Sequence, residues 1–244
     1  MAFHLEIPPE EIHALSDRFE TASLDEVLRW CWDRYGSEAA IGTSFQGAGL
    51  VIIHASRKAG FQFPVFTLDT GLLFPETLEL KRRLEAFFDL EIEGLVPDQT
   101  VEEQAAEQGP ELWKRHPDTC CVLRKVLPLQ KKLDALSVWI TGVRRQQSDT
   151  RQRTGVLELY KFDVLRDRYI LKLNPLAGWS RERVWEYLRR EGIPYNPLHD
   201  RGYRSIGCMP CTRAVGEGEE ERAGRWTGFD KAECGIHTFL GENI

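Results

Sequence analysis

Apolar side chains recur at three- and four-residue intervals early in the chain. Leu24, Val27, Leu28, Cys31, Trp32 and Tyr35 share one face, and residues 10 to 35 read as helical. The pattern then changes. Ala39 to Phe45 is a short, nearly continuous apolar run, as expected of a buried strand, and passes through Gln46-Gly47-Ala48-Gly49 into an apolar helix from Leu50 to Ala59. Gln62 to Leu68 reads as a second strand, ending in Asp69-Thr70-Gly71, and Pro75 opens the next helix as a good first-turn residue. Leu90 to Val96 and Leu136 to Thr141 read as two more strands, and Leu157 to Asn174 as a hairpin about Arg166-Asp167. Ser180 caps a helix running to Glu191, which Gly192 and Pro194 stop. Asn196 to Cys211 is loop-like, and Glu217 to Glu221 is an acidic run on a helix face or solvated linker.

Strands alternating with helices imply an α/β fold, a mostly parallel sheet flanked by helices. Ligands of such sheets sit beyond the carboxyl ends of the strands. Three turns lie there: Ser44-Phe45-Gln46-Gly47-Ala48-Gly49, Leu68-Asp69-Thr70-Gly71, and Thr141-Gly142-Val143-Arg144-Arg145 running on to Ser148. Backbone N–H groups in these turns could hold the phosphates of a nucleotide. The first is neither a phosphate-binding loop with Gly-Lys-Ser/Thr nor a dinucleotide fingerprint, and close helix–strand packing is its alternative explanation.

Composition narrows the class. The 244 residues are 42% apolar and 29% charged, enough for one good core with an appendage. No stretch is long and apolar enough for a membrane span, and Glu6, Glu10 and Glu11 stand where a signal peptide would be basic. The expected location is cytoplasmic. A net charge of −6 argues against nucleic acid as partner. Against that average, Arg124-Lys125, Lys131-Lys132, Arg144-Arg145, Arg151 and Arg153 form a basic segment suited to a small anion, or else simply solvated helix faces. Oligomeric state is left open.

Six cysteines in a cytoplasmic chain favour metal or redox chemistry over structural disulfides. Cys31 lies on the apolar helix face as a buried, inert thiol. Cys120-Cys121 follows Pro117-Asp118-Thr119, a helix start whose positive end favours thiolates. With Cys208-Met209-Pro210-Cys211 the pair completes four sulfur ligands. Adjacent helical cysteines point about 100° apart, which suits two corners of a metal–sulfur cube better than one zinc ion. An iron–sulfur cluster, a zinc site and a redox dithiol all remain open on spacing. Cys234 stands apart in Glu233-Cys234-Gly235-Ile236-His237, near Arg222, Arg225 and Lys231, cations that would raise its thiolate fraction. Residues 226 to 244 are polar and glycine-punctuated, as in a mobile tail.

These motifs together resemble one family. Ser44-Phe-Gln-Gly-Ala48, Leu68-Asp-Thr-Gly71 with Phe74-Pro-Glu-Thr77, Cys120-Cys-Val-Leu-Arg-Lys125, Thr141-Gly-Val-Arg-Arg-Gln-Gln-Ser148, Asn196 to Tyr203, Ser205 to Arg213 and Glu233-Cys-Gly-Ile-His237 occur in the order of the phosphoadenylyl-sulfate reductases, in their cluster-bearing, assimilatory adenylyl-sulfate (APS) branch. The resemblance implies a PP-loop type nucleotide-binding domain over residues 1–225 and a catalytic tail over 226–244. It implies a [4Fe-4S] cluster on Cys120, Cys121, Cys208 and Cys211. It also implies a nucleophile at Cys234, with Lys125, Arg222, Arg225, His237 and Arg151 about the substrate anion. The activity so implied is thioredoxin-dependent reduction of adenylyl sulfate to sulfite and AMP through an S-sulfocysteine. The 3′-phosphorylated substrate (PAPS), or dual use, is the nearest alternative. A PP-loop enzyme acting on nucleic-acid sulfur would need a Ser-Gly-Gly-x-Asp-Ser type loop, absent here, and a zinc-bound nucleic-acid module conflicts with the net charge.

Overall fold

A computed structural model describes residues 7–231 and 233–237. Its helices and strands run α1 (Pro9–Phe19), α2 (Leu24–Tyr35), β1 (Ala39–Gly42), α3 (Gly47–Lys58), β2 (Val65–Leu68), α4 (Pro75–Phe88), β3 (Ile92–Leu95) and α5 (Val101–Gln108). They continue with α6 (Leu112–Arg115), α7 (Pro117–Cys121), a π-helical turn over Val122–Val126, α8 (Leu127–Leu133), β4 (Val138–Thr141), β5 (Leu157–Asp163), β6 (Arg168–Leu173) and α9 (Arg181–Arg190).

The six strands form one sheet in the order β3-β2-β1-β4-β6-β5. All neighbours are parallel except β5, which pairs antiparallel with β6 through the expected hairpin. Both faces are covered, so strand residues alternate between two cores. Ile41, Val138, Ile140, Leu171 and Leu173 face a large core with Leu28, Leu50, Ile53 and Leu84. Ala40, Trp139 and Ile170 face a smaller one with Leu129 and Leu133 of α8. Cys31 is buried in the large core, where desolvation pushes its thiol far up, as an inert thiol should be.

The single helix expected over 10 to 35 is two. Ser23 ends the continuity: its hydroxyl accepts from the Glu26 N–H at 3.2 Å while the Glu26 carboxylate accepts from the Ser23 N–H at 2.7 Å, a capping box that starts α2 afresh. α3 starts earlier than expected, at Gly47, so the glycine turn is itself the first turn of the helix. Among the described residues no helix is long and apolar enough to cross a membrane.

Candidate active site

The three turns predicted to meet do so at the carboxyl ends of β1, β2 and β4. Ser44, Gln46 and Ala48 from the first, Leu68 and Thr70 from the second, and Thr141, Gly142 and Val143 from the third line one cleft with about 160 Å³ of open space. Lys125, Arg151, Arg222, Arg225, Cys208, Cys234 and His237 line the same cleft. Close approach explains two of the glycines. A Cβ on Gly142 would lie 2.9 Å from the backbone nitrogen of Gly49, and one on Gly47 would lie 2.8 Å from Val184 of α9. Gly47 thus serves helix packing and does not line the cleft.

Four further residues expected to bind substrate have other partners and do not line the cleft. Asp69 accepts from the Gly71 N–H at 3.0 Å, shaping its own turn. Gly71 lies at φ +67°, a left-handed conformation that favours glycine, against Arg124. Arg144 is buried and pairs with Glu221 at 3.3 Å. Arg145 turns back to donate to the Thr154 carbonyl at 2.8 Å and to pair with Glu20. Side by side in sequence, these two arginines pair with carboxylates from distant parts of the chain, Glu221 and Glu20.

All six cysteines are free, and Cys234, apart from the others in sequence, packs in space with Cys121, Cys211 and Trp226. α7 passes without a break through the π turn into α8, so Cys120 and Cys121 lie in the opening turn of one helical run from Pro117 to Leu133, and the Cys120 N–H donates to the His116 carbonyl at 3.0 Å. Burial, then the neighbouring Cys121, Cys208 and Cys211, push the Cys120 thiol up to about 11. Burial and Cys208 push Cys211 up to about 11 as well. These mutual effects place the four sulfurs in one neighbourhood. The Thr70 hydroxyl lies 3.2 Å from the Cys208 sulfur. Among the described residues no three His, Cys, Asp or Glu side chains already converge as they would about a single ion. As a donor set, four buried or half-buried thiols with a nearby cation and a hydroxyl fit an all-sulfur metal centre of more than one metal atom.

The π turn after Cys121 sends Arg124 and Lys125 to opposite tasks, as such turns often do at functional sites. Arg124 is buried and donates to the Thr70 carbonyl at 2.5 Å and to Gln104 at 3.1 Å, tying the turn after β2 to the cysteine helix. Lys125 enters the cleft. Burial would lower its pKa, yet Cys208, Cys234 and Cys121 outweigh that and raise it, so it stays an ammonium.

Of the tail expected to be mobile, residues 226–231 and 233–237 are docked against the domain, and 238–244 lie outside the described residues. The Trp226 N–H donates to the Cys211 carbonyl at 3.1 Å, and Thr212 and Arg225 form an isolated antiparallel bridge. Trp226 takes φ 47°, a strained conformation for a bulky residue. Its buried ring is faced by Arg225 at 4.5 Å, Lys231 at 5.4 Å and Lys125 at 5.9 Å. The Tyr160 hydroxyl donates to the Ile236 carbonyl at 3.0 Å. Cys234 is thereby buried beside Lys125 and Trp226. Burial alone would push its thiol up; Lys125, the Ile236 N–H, Arg225 and Arg222 outweigh burial and bring it below the ordinary value.

His237 stacks on Trp139 at 5.1 Å and 9°. Burial, then Arg151, Lys172 and Arg222, hold it well below the ordinary imidazole range, so it is neutral. A neutral imidazole in the cleft can donate or accept a hydrogen bond. Periodicity did not single out Trp139, Tyr160 or Trp226, nor the buried Lys172, which sits 4.6 Å over the Tyr160 ring and 3.6 Å from Glu158. A lysine on a strand carries no local sign of burial.

The profile of the phosphoadenosine phosphosulfate reductase domain matches residues 38–214. Similar proteins include the adenosine 5′-phosphosulfate reductases of Salinibacter ruber, 43% identical over 92% of this chain and 88% of that protein, and of Streptomyces coelicolor, 44% identical over 93% and 95%. Among solved structures, the phosphoadenylyl-sulfate reductase of Candida auris in its phosphate complex superposes with a TM-score of 0.73 at 30% identity, covering 87% of this chain and all of that one. The Candida glabrata FMN adenylyltransferase shares the fold alone, with a TM-score of 0.56 at 13% identity. The chain belongs to the phosphoadenosine phosphosulfate reductase family.

Proposed function

We propose that this protein reduces adenylyl sulfate to sulfite and AMP, with Cys234 as nucleophile. One observation carries the reading: a buried thiol, brought below its ordinary pKa by Lys125, Arg225 and Arg222, lines the cleft formed at the strand ends. Relatives at 41% identity and above are named for this substrate.

The substrate's sulfuryl group lies against Lys125 and Arg225, with the nucleotide over the turns at Ser44, Leu68 and Gly142. The Cys234 thiolate attacks sulfur, the sulfur–oxygen bond to the phosphate breaks, and AMP leaves with the electron pair. The product is S-sulfocysteine. The attack brings one anion to another, and fixed cations offset the repulsion without reorganising. A reduced dithiol of the thioredoxin class then attacks the Cys234 sulfur, sulfite departs with the sulfur–sulfur electron pair, and the partner's second thiol resolves the mixed disulfide. Both electrons come from that dithiol. Residues 226–244 act as a lid that closes for sulfur transfer and opens for the reductant.

Cys120, Cys121, Cys208 and Cys211 would hold a [4Fe-4S] cluster, which supplies a fixed charge distribution beside Lys125. Free thiols and a dithiol reductant suit the cytoplasm. The 3′-phosphorylated analogue is the rival substrate.

The test is mass spectrometry of enzyme mixed with adenylyl sulfate without reductant, followed by side-by-side turnover with the 3′-phosphorylated analogue. One SO3 on the Cys234 peptide is expected. Active enzyme that never carries the adduct sinks the covalent scheme, and preference for the analogue reassigns the substrate.

A further inference from the structure

Glu233, immediately before the proposed nucleophile, has no part in the chemistry above, yet its carboxylate is almost fully enclosed, its side chain 6% exposed. One oxygen accepts from Arg151 Nε at 2.9 Å, and the other from Arg151 Nη2 at 2.8 Å and from Arg222 Nη2 at 3.0 Å. The Ser148 and Thr150 hydroxyls donate to the first oxygen at 3.3 and 3.2 Å. The forked arginine contact is the strong, directional kind. Arg151 is itself fixed, donating from Nη1 to Gln147 Oε1 at 2.6 Å, and that oxygen also accepts the Arg144 N–H at 3.0 Å. On the far side of Cys234 the chain turns at Gly235, φ +85°, and the Ile236 carbonyl is held by Tyr160. The nucleophile is thus suspended between two anchors, one ionic and one neutral.

We propose that Glu233 is a positioning residue for sulfur transfer, a latch that engages Arg151 and Arg222 and so fixes Cys234 against Lys125. The two arginines then act twice, as positive charge at the cleft and as the seat of the residue preceding the thiol. A wandering thiol would still bind nucleotide but attack slowly, because small misplacements of a nucleophile cost rate rather than affinity. The kinetic part rests on the proposed reductase activity; the docking part does not.

The experiment uses the full chain with its metal centre, in wild type, Glu233→Gln, Arg151→Met and the double variant. The first readout is the iodoacetamide alkylation rate of the Cys234 peptide on its alkaline plateau, without nucleotide. There every Cys234 is a thiolate, so an altered pKa cannot mimic altered access. Each single variant should react roughly tenfold or more faster, since charge-assisted bonds of this kind are lost. The double variant should react no faster than the quicker single one, because both remove the same interaction. The second readout is AMP affinity together with the single-turnover rate of S-sulfocysteine formation. Glu233→Gln should keep AMP affinity within about twofold while adduct formation slows roughly tenfold or more. Glu233→Asp should recover part of both effects. Should the larger changes unfold the protein, Ser148→Ala with Thr150→Ala removes only two hydroxyl donors and should shift alkylation the same way by less. Wild-type alkylation in Glu233→Gln, or multiplying effects in the double variant, overturns the latch. A markedly tighter AMP affinity in Glu233→Gln also overturns it, by making the carboxylate a competitor of the nucleotide. Wild-type enzyme that makes no sulfite from adenylyl sulfate refutes the proposed activity, and the alkylation results still decide the latch.

Discussion

Two buried regions of this molecule obey opposite rules. In the large core, α3 presents Leu50, Val51, Ile52 and Ile53 with no exposed surface, against Leu28, Ile41 and Ile140. Nothing there needs a specific partner, and each side chain contributes mainly by leaving water. At the carboxyl ends of the strands, Lys125, Arg151, Arg225 and Lys172 are buried as well, and each lies against a thiol, a carboxylate, a hydroxyl or an aromatic face. Buried charges of this kind contribute little net stability and are strongly destabilising once a partner is removed. One region holds the fold; the other is a fixed field built at the fold's expense.

Variants can break that division. The largest effect is expected from Cys234→Ser, which should lower sulfite formation roughly 10⁴-fold or more while leaving iron content and visible absorption unchanged. Loss of iron would instead mean that Cys234 belongs to the metal set. Lys125→Met should lower kcat/KM by roughly 10²- to 10³-fold, about 3–4 kcal/mol of transition-state stabilisation. A change in KM alone would demote it to a binding contact. Leu50→Ala should lower unfolding free energy by about 2–5 kcal/mol, seen in urea titration, with KM unaltered; an equal loss of turnover would show that core and cleft are not separate. The smallest effect is a pH dependence. His237 has a folded pKa below its unfolded value near 6.5, so below that pH the unfolded chain binds more protons. Its contribution is full above about pH 6.5 and falls by at most about 2 kcal/mol as the solution is acidified toward pH 5. Unfolding midpoints of wild type and His237→Asn, compared at pH 7.5 and 5.5, check this. A wild-type excess that persists unchanged at pH 5.5 would mean that the imidazole is protonated in the native state.

Much of this was open to reading along the chain. Alternation and periodicity located every strand of the sheet, because burial on both faces leaves continuous apolar runs at Ala39, Val65 and Val138. The break between α1 and α2 was also encoded, in Ser23 and Glu26, but a continuous apolar spacing masked it. The cysteines sorted themselves by spacing, four and one, with Cys31 in the core. Cations did not sort. Arg144, Arg145 and Arg151 lie in one loop with the same composition, and only Arg151 lines the cleft.

The sequence by itself determined the element order, the parallel sheet with its turns at one end, the candidate sulfur ligands and the isolated thiol. These follow from local rules, since side-chain period and residue chemistry act over a few positions. Tertiary structure decided which charges the cleft keeps. Glu20 captures Arg145 across 125 positions, and Glu233 engages Arg151 across 82. It also decided that His237 is neutral and that Lys172 is buried. Coulomb and desolvation energies depend on distance and depth in space, and neither is written in the spacing of residues along a chain.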